Sequence, residues 1–332
     1  MSKILILTLT FFTSTVANAD VKGQALSKVS EKISSTIGNL IPGEGITETS
    51  VELRDNNEGS GNYQFSILGV RDISSQENSN LFTQFSIHTQ EINKDNNEPR
   101  INLLLLRDLN KTESSNFFTQ ISLHTQDIGV SDNRYIGNFG LGYRKLSNDN
   151  SFMFGANLFY DQDLQENHSR ASIGLEAKAG ILDFHFNHYE AASLQKVIDG
   201  TKEQALGGMD YTLATQVPYM PWMKFNFVGY RHEADLASAD TKGEKYISEM
   251  NLTPSLIFEA EYDKSGNNTD DFTSARLTFV YPPRNISPSL ADGFISDEAF
   301  YKVDMSQTLS NKVKRNNNIA IETQGAVIVT VQ

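Results

Sequence analysis

The histidines and paired acids of this chain are where a reaction would have to begin. His88 and His124 recur inside two near-identical stretches, residues 79–92 (SNLFTQFSIHTQEI) and 115–128 (SNFFTQISLHTQDI), so duplication accounts for both without shared chemistry. His185 and His188 stand three apart, a spacing that in a strand turns them to opposite faces and rules out a common metal. His168 and His232 fall near strand ends. Glu259 and Glu261 have the same-face spacing of a general acid and base, but in a strand alternating with Phe258, Ala260 and Tyr262 they read as solvated charges. An envelope hydrolase needs a Ser/His pair on an outward face near the interface, and this reading ranks last. There is no nucleotide loop and no calcium loop, and Asn110-Lys111-Thr112 is a glycosylation pattern without meaning in a bacterial envelope. The expectation is no catalytic, cofactor-binding or metal-binding residue, and no enzyme.

Those residues sit in an exported chain. Lys3, an apolar run over residues 4–12 and Ala17-Asn18-Ala19 before Asp20 have the pattern of a signal peptide over residues 1–19. That run is too short to span a bilayer, and no later stretch offers about 18 consecutive apolar residues. The formal net charge of −13 argues against nucleic acid as a partner and against docking on anionic lipid through a basic patch. With no cysteine, an exported chain has no disulfide framework and must hold itself by hydrogen bonds and packing.

What must position the polar residues is a set of strands. Leu81, Thr83, Phe85 and Ile87 alternate with Gln84, Ser86 and His88, and Phe117, Thr119, Ile121 and Leu123 alternate with Gln120, Ser122 and His124. That is period two. Ile173, Leu175 and Ala177 oppose Gly174, Glu176 and Lys178; Leu182, Phe184 and Phe186 oppose Asp183 and His185. Leu277, Phe279 and Tyr281 oppose Arg276 and Thr278. The pattern predicts fourteen strands: 45–54, 62–72, 81–92, 99–108, 116–128, 134–146, 152–163, 169–179, 181–190, 206–216, 222–233, 243–253, 255–265 and 271–281.

Strands of this length suit a transmembrane barrel, which needs about 9–11 residues per crossing, better than a soluble sandwich with strands of about five or six. Connections agree. If the first strand rises from the periplasm, the odd-to-even connections include AASLQKVIDGTKEQA and ADLASADTKG, while even-to-odd ones shrink to Gly180 or Pro254. Short periplasmic turns and longer outer loops are the known asymmetry. The fold class is therefore an all-β outer-membrane antiparallel barrel of 12 to 14 strands, with 14 favoured. Its expected pore lining is Gln84, His88, Gln120, His124, Glu176, Lys178, Asp183, His185, Glu259, Glu261 and Arg276. Tyr143, Tyr160, Tyr219, Trp222, Tyr230, Tyr262 and Tyr281 suit an interfacial girdle.

The two copies register at an offset of about 36 residues, with Arg71-Asp72 falling on Arg107-Asp108 and a fainter third copy around Phe154, Tyr160 and Gln162. A barrel accepts an added hairpin because the sheet still closes with an even strand count. The repeat reads as hairpin duplication near residues 93–128. IGNFGLGYRKL, FGANLFYDQDL, RASIGLEAKAGI, GGMDYTLATQVPYMPWMKFNFVGYRHEADL, NLTPSLIFEAEYDKSGNN and NKVKRNNNIAIE, in this order over residues 134–322, resemble the membrane domain of intimin and invasin, the inverse autotransporters. The resemblance implies an outer-membrane barrel of the bacterial cell, inserted by the barrel assembly machinery and periplasmic chaperones. It implies a linker that runs back through the pore and carries a passenger outward. It also suggests ARLTFVY as an internal assembly signal, with Phe279 and Tyr281 as its aromatic pair. The family barrel has twelve strands; the extra hairpin makes fourteen here.

The flanks complete the domain plan. Residues 20–44 hold Leu26, Val29, Ile33, Ile37 and Leu40 at helical spacing, a short amphipathic helix at the barrel mouth, with peptidoglycan contact or self-association as partner options. The barrel covers 45–282, and 283–332 is the linker with a short C-terminal stub. About 50 residues are enough to cross a hydrocarbon layer about 25–30 Å thick even when partly helical. Residues 297–313 are expected as that helix, with Lys312, Lys314 and Arg315 opposing Glu259 and Glu261. IAIETQGAVIVTVQ reads as one or two strands. The leading function is a translocator or anchor holding or exporting its own C-terminal segment. The alternatives are a general diffusion pore and the anchor of an adhesin whose passenger is missing.

Overall fold

The computed structural model describes residues 32, 36, 44–55, 62–76, 79–88, 99–128, 133–237, 239–265, 271–284, 288–300, 303–323 and 326–328. In chain order the strands are β1 (Glu44–Asp55), β2 (Asn62–Gln76), β3 (Ser79–His88), β4 (Arg100–Lys111), β5 (Ser115–Gln126), β6 (Arg134–Leu146), β7 (Phe152–Asp163), β8 (Ser169–Ala179) and β9 (Leu182–Ala191). After two short strands, β10 (Lys196–Ile198) and β11 (Thr201–Ala205), the long ones resume. They are β12 (Gly208–Val217), β13 (Met220–His232), β14 (Thr241–Thr253), β15 (Leu256–Ser265) and β16 (Phe272–Tyr281). Two short strands, β17 (Ile321–Thr323) and β18 (Ala326–Ile328), follow.

The fourteen long strands form one closed antiparallel barrel. Closure comes from β1 on β16, where Thr47 faces Tyr281, Val51 faces Leu277 and Asp55 faces Thr273. A closed sheet leaves no ladder edge, which a strand in hydrocarbon requires because lipid offers backbone groups no partner. The connections alternate in length around the ring: 77–78, 112–114, 147–151, 180–181, 218–219 and 254–255 at one end, and longer segments such as 192–207 and 233–240 at the other.

Alternation decides which side each residue takes. On β7 and β8, Leu158, Tyr160, Ile173 and Leu175 are exposed on the outside, while Asp161, Asp163, Arg170 and Glu176 are buried within. A soluble protein hides its apolar face; this one presents a continuous apolar band of Leu, Ile, Phe and Tyr to its surroundings. Tyr143, Tyr160, Tyr219 and Tyr281 belong to the outer surface. Trp222 and Tyr230 do not. The Trp222 indole is buried and its Nε1 donates to the Phe294 carbonyl at 3.0 Å, and Tyr230 pairs across the sheet with the inward Asp210. Nearness to a strand end predicted a girdle, but parity turns both inward.

The duplicated hairpin is visible in the backbone. The β2–β3 ladder carries a register shift between Asp72 and Ser74, and the β4–β5 ladder carries one between Asp108 and Asn110, the same place one repeat later. A bulge copied with its sequence is what duplication of a whole hairpin leaves behind.

Beyond β16 the chain does not form the helix expected over 297–313. Its described residues contain two short 3₁₀ turns, Leu290–Asp292 and Met305–Thr308, the second continued by a turn in which the Asn311 amide donates to the Thr308 carbonyl at 3.2 Å, and from Lys312 to Ala320 the chain has no helical turn. Nine residues drawn out reach about 30 Å, whereas as a helix they would cover about 14 Å, less than the ~25 Å apolar band. At the far end β17 pairs with β11, and β10, β11, β17 and β18 make a four-stranded sheet over the long-loop end of the barrel. The β10–β11 hairpin lies within a segment the alternation pattern reads only as a loop, because its strands are too short to display a period. Lys32 and Thr36 are helical, with the Thr36 hydroxyl donating to the Lys32 carbonyl at 2.7 Å. The remainder of the expected N-terminal helix, and the signal peptide, lie outside the described residues.

Candidate functional site: the lumen wall around the C-terminal linker

The linker enters at the short-turn end. Its Met305 and Leu309 pack on Leu146 and Met153, and the Met305 amide donates to the Asn150 carbonyl at 3.1 Å. From there one wall, made by β4 to β9, takes it upward. Asn116 Nδ2 donates to the Leu309 carbonyl at 3.0 Å, and Ser310 Oγ donates to Asp108 at 2.8 Å. Arg144 donates to the carbonyls of Leu309 (3.1 Å) and Asn311, while a bidentate pair with Glu176 at 3.0 Å fixes its guanidinium. Val313 buries against Leu104, Leu106, Phe118 and Phe159, and its amide donates to Gln120 Oε1 at 2.9 Å.

Asp161 is the centre of the wall. Arg170 from β8 and Arg315 from the linker both pair with it, at 2.8 and 2.7 Å, and Asn138 Nδ2 donates to it at 2.7 Å. All three charged side chains are 0% exposed. A buried carboxylate is tolerable only when its lone pairs are filled, and two guanidinium forks with an amide do that. The Arg315 guanidinium also lies 4.3 Å over the Phe159 ring, and that of Arg170 lies 4.0 Å over Tyr189. Flat rings under cations add attraction in a dry site.

Higher up, the wall binds backbone. The Asn316 amide donates to Tyr189 Oη at 2.9 Å, the Asn316 carbonyl accepts from Arg170 at 2.8 Å, and the Asn317 carbonyl accepts from Asn138 at 3.0 Å. His124 Nε2 lies 2.8 Å from Asn318 Oδ1. The Gln126 amide clasps Ile319 on both sides, accepting from its N–H at 2.9 Å and donating to its carbonyl at 2.7 Å. The linker's backbone groups thus find partners on barrel side chains as they would in a ladder, which is why it stays extended.

At the outer end Arg134 of β6 pairs with Asp163 (3.3 Å) and with Glu203 of β11 (2.8 Å), tying the β10–β11 hairpin to the rim. The Glu322 carboxylate accepts the backbone N–H groups of Asp235 (3.0 Å), Leu236 (2.8 Å) and Ala237. Ionisation outside the barrel follows local hydrogen bonding. Hydroxyl donation from Ser147 and Ser151 pulls Asp149 down to about 2. The Ala234 N–H and then Arg231 lower Asp240. Burial, with Lys196 nearby, lowers His168.

The residues singled out from sequence divide between two walls. Gln120, His124 and Glu176 meet the linker or a residue that holds it; Lys178 and His185 are buried beside them. Glu259, Glu261 and Arg276 are on the other wall, with Gln84 and His88. Glu259 and Glu52 pair with Arg276, and Glu261 pairs with Lys245 at 3.1 Å. The expected pairing of the linker cations with Glu259 and Glu261 is therefore replaced, for Arg315, by Asp161. The linker follows the wall richer in backbone-binding amides and guanidinium groups. Asp183 lies across from Lys178, and His185 is buried inside while His188 is on the outside beside Glu190. Phe279 and Tyr281 point outward on the closing strand. Asp161, Arg170, Arg144, Asn138 and Tyr189 escaped the sequence reading. Parity places all five inward, but nothing in one dimension says which wall a linker chooses.

Three comparisons bear on identity. A relative, the inverse autotransporter adhesin YeeJ of Escherichia coli strain K12, is 25% identical over 204 residues, covering 58% of this chain and 8% of that protein. The chain thus spans a small fraction of that relative's length. A structure solved under the heading "Unveiling the Mechanism Behind the in-meso Crystallization of Membrane Proteins" overlays with a TM-score of 0.52 at 17% identity, covering 84% of this chain and 99% of that one, and shares its fold. The sequence profile of the inverse autotransporter β-domain matches residues 91–317, from the middle of the duplicated region through the linker. With its closed barrel, its apolar outer band and its occupied lumen, the chain is a protein of the bacterial outer membrane and belongs to the inverse autotransporter β-domain family.

Proposed function

We propose that this barrel anchors its own C-terminal segment, holding residues 305–320 as a through-pore strap and presenting the segment that follows at the cell surface. One observation supports this above the others: the strap meets barrel side chains from Asn116 at one end to Gln126 at the other, and Asp161 takes its one buried arginine. A strap held only at its ends could slide, whereas one hydrogen-bonded along its length resists pulling. In this reading residues 1–19 direct export, and 20–44 form a periplasmic segment that contacts peptidoglycan or a second copy of itself. The barrel assembly machinery, aided by chaperones, reads β16 with Phe279 and Tyr281 as its aromatic pair. Chemistry is no part of the role, and neither nucleic acid nor a cofactor belongs to it.

The test is protease added to intact cells. The reading expects loss of a C-terminal tag appended after Gln332, while a tag in the 147–151 turn survives until the outer membrane is opened. A tail tag that stays protected on intact cells, with the barrel folded, contradicts it. Replacing Phe279 and Tyr281 by alanine is expected to reduce the folded, heat-modifiable fraction in the outer membrane several-fold. Normal yield would remove the assembly role from that pair.

A further inference from the structure

The strap fills one side of the lumen only. On its wall Asp161, Arg170 and Arg315 are 0% exposed, and Asn138, Asn157, His124 and Glu176 are buried. On the other wall, inward side chains are open: Lys224 is exposed, the Arg276 side chain is 40% exposed and that of Glu259 is 25% exposed. These are not lipid-facing residues. Lys224 sits across from Glu249, Glu249 from Glu259, Glu259 from Arg276, and Arg276 from Glu52, one inward row over five neighbouring strands. Charged side chains that deep in a membrane need water or partners, and the exposure of Lys224, Glu259 and Arg276 means solvent reaches this row inside the barrel, while Glu52 at its end is buried against Arg276.

The duplication supplies the room. The strap engages Gln120, His124 and Gln126 of the second copy, whereas the equivalent Gln84 and His88 of the first copy lie on the β3 wall, where His88 bonds Ser86 at 3.1 Å. Two added strands widen a barrel, since diameter grows with strand number, but they add no second strap.

We propose that a water-filled lane runs beside the seated strap, lined by Lys224, Glu249, Glu259, Arg276 and Glu52, and that it passes small inorganic ions across the outer membrane. The mixture of signs along the row suits transit. Three carboxylates against two basic groups attract cations slightly, while the ion pairs Glu52–Arg276–Glu259 spread the charge so that no ion is held tightly. Conduction and anchoring then belong to different halves of one lumen.

The chain has no cysteine, so single-cysteine variants of the full-length protein in planar bilayers in potassium chloride give a direct test. The wild type is expected to conduct, and removal of residues 283–332 to raise the current further. A negatively charged, water-soluble methanethiosulfonate is expected to change the current of Lys224→Cys and of Glu249→Cys, reversibly with reductant. The same reagent should leave the current of Asn157→Cys, on the covered wall, unaltered. A silent full-length chain beside a conducting truncated one means the strap fills the lumen; the lane is then refuted and the anchoring reading stands. Silence of both also refutes it. Current that ignores modification at Lys224→Cys and Glu249→Cys runs elsewhere, and equal modification of Asn157→Cys means the strap had left its wall. Either result overturns the proposal.

Discussion

Asp161 shows how much one side chain can decide. It takes Arg170, Arg315 and Asn138 together, out of water, so it joins three barrel strands, β6 to β8, and the linker in one network. Asp161→Asn leaves two buried guanidinium groups short of a counter-charge, and breaking a buried pair from one side costs about 3–5 kcal/mol. Arg315→Ala removes only the strap's member and leaves Asp161 still paired with Arg170. The expected order in denaturant titrations of the refolded barrel is therefore Asp161→Asn well below Arg315→Ala, which in turn lies below wild type. The two substitutions should also be non-additive, since they share a network. Equal, additive losses would show that the strap does not couple to the wall through Asp161. At this scale the sequence was only partly legible. Period two turns Gln120, His124 and Glu176 inward, but it does not rank Asp161 above Glu259, because rank depends on which wall the linker covers.

Elements carry a second set of dependencies. On β6, Gly140 and Gly142 face inward beneath the rings of Phe159 and Phe118, and a Cβ at either position would run into the ring. The glycines let both rings lie flat on the sheet, where Phe118 receives the Arg144 guanidinium at 4.5 Å and Phe159 receives that of Arg315. Gly142→Val should force the Phe118 ring toward Val313 and destabilise by about 1–3 kcal/mol, the range of an overpacked core, in the same titration. Substitution with no cost would mean that the ring has somewhere else to go. Duplication makes a sharper prediction. Deletion of residues 93–128 removes one repeat and brings β3 next to β6, so Gln84, His88 and Gln90 inherit the seats of Gln120, His124 and Gln126. The shortened chain is expected to fold as a heat-modifiable barrel in which Gln84→Ala loosens the strap to protease, although the same change in the full chain does not. A deletion that fails to fold would show that the copies are not interchangeable. All fourteen barrel strands were legible because each is long enough to display several periods. The β10–β11 hairpin was not, and the helix expected over 297–313 was misread because its residues favour a helix locally, while the lumen offers their backbone partners only when extended.

The whole molecule rests on an inverted surface. Leu158 is 61% exposed near the middle of β7, in register with Leu141 and Ile173. On a soluble protein an exposed leucine tolerates substitution within about 0.5 kcal/mol. On the lipid face of a barrel, arginine near the midplane costs about 2–4 kcal/mol. Leu158→Arg is therefore expected to lower stability in phospholipid bilayers by that amount, and a near-neutral effect would argue against an apolar environment for this band. The most direct measurement of the topology uses single cysteines on intact cells with a membrane-impermeant maleimide. Asp199→Cys lies in the hairpin that carries the end of the strap, and Asn148→Cys lies in a short turn at the opposite end. A strap that ends at the cell surface predicts labelling of Asp199→Cys on intact cells and of Asn148→Cys only after the outer membrane is permeabilised; the reverse pattern would overturn this topology.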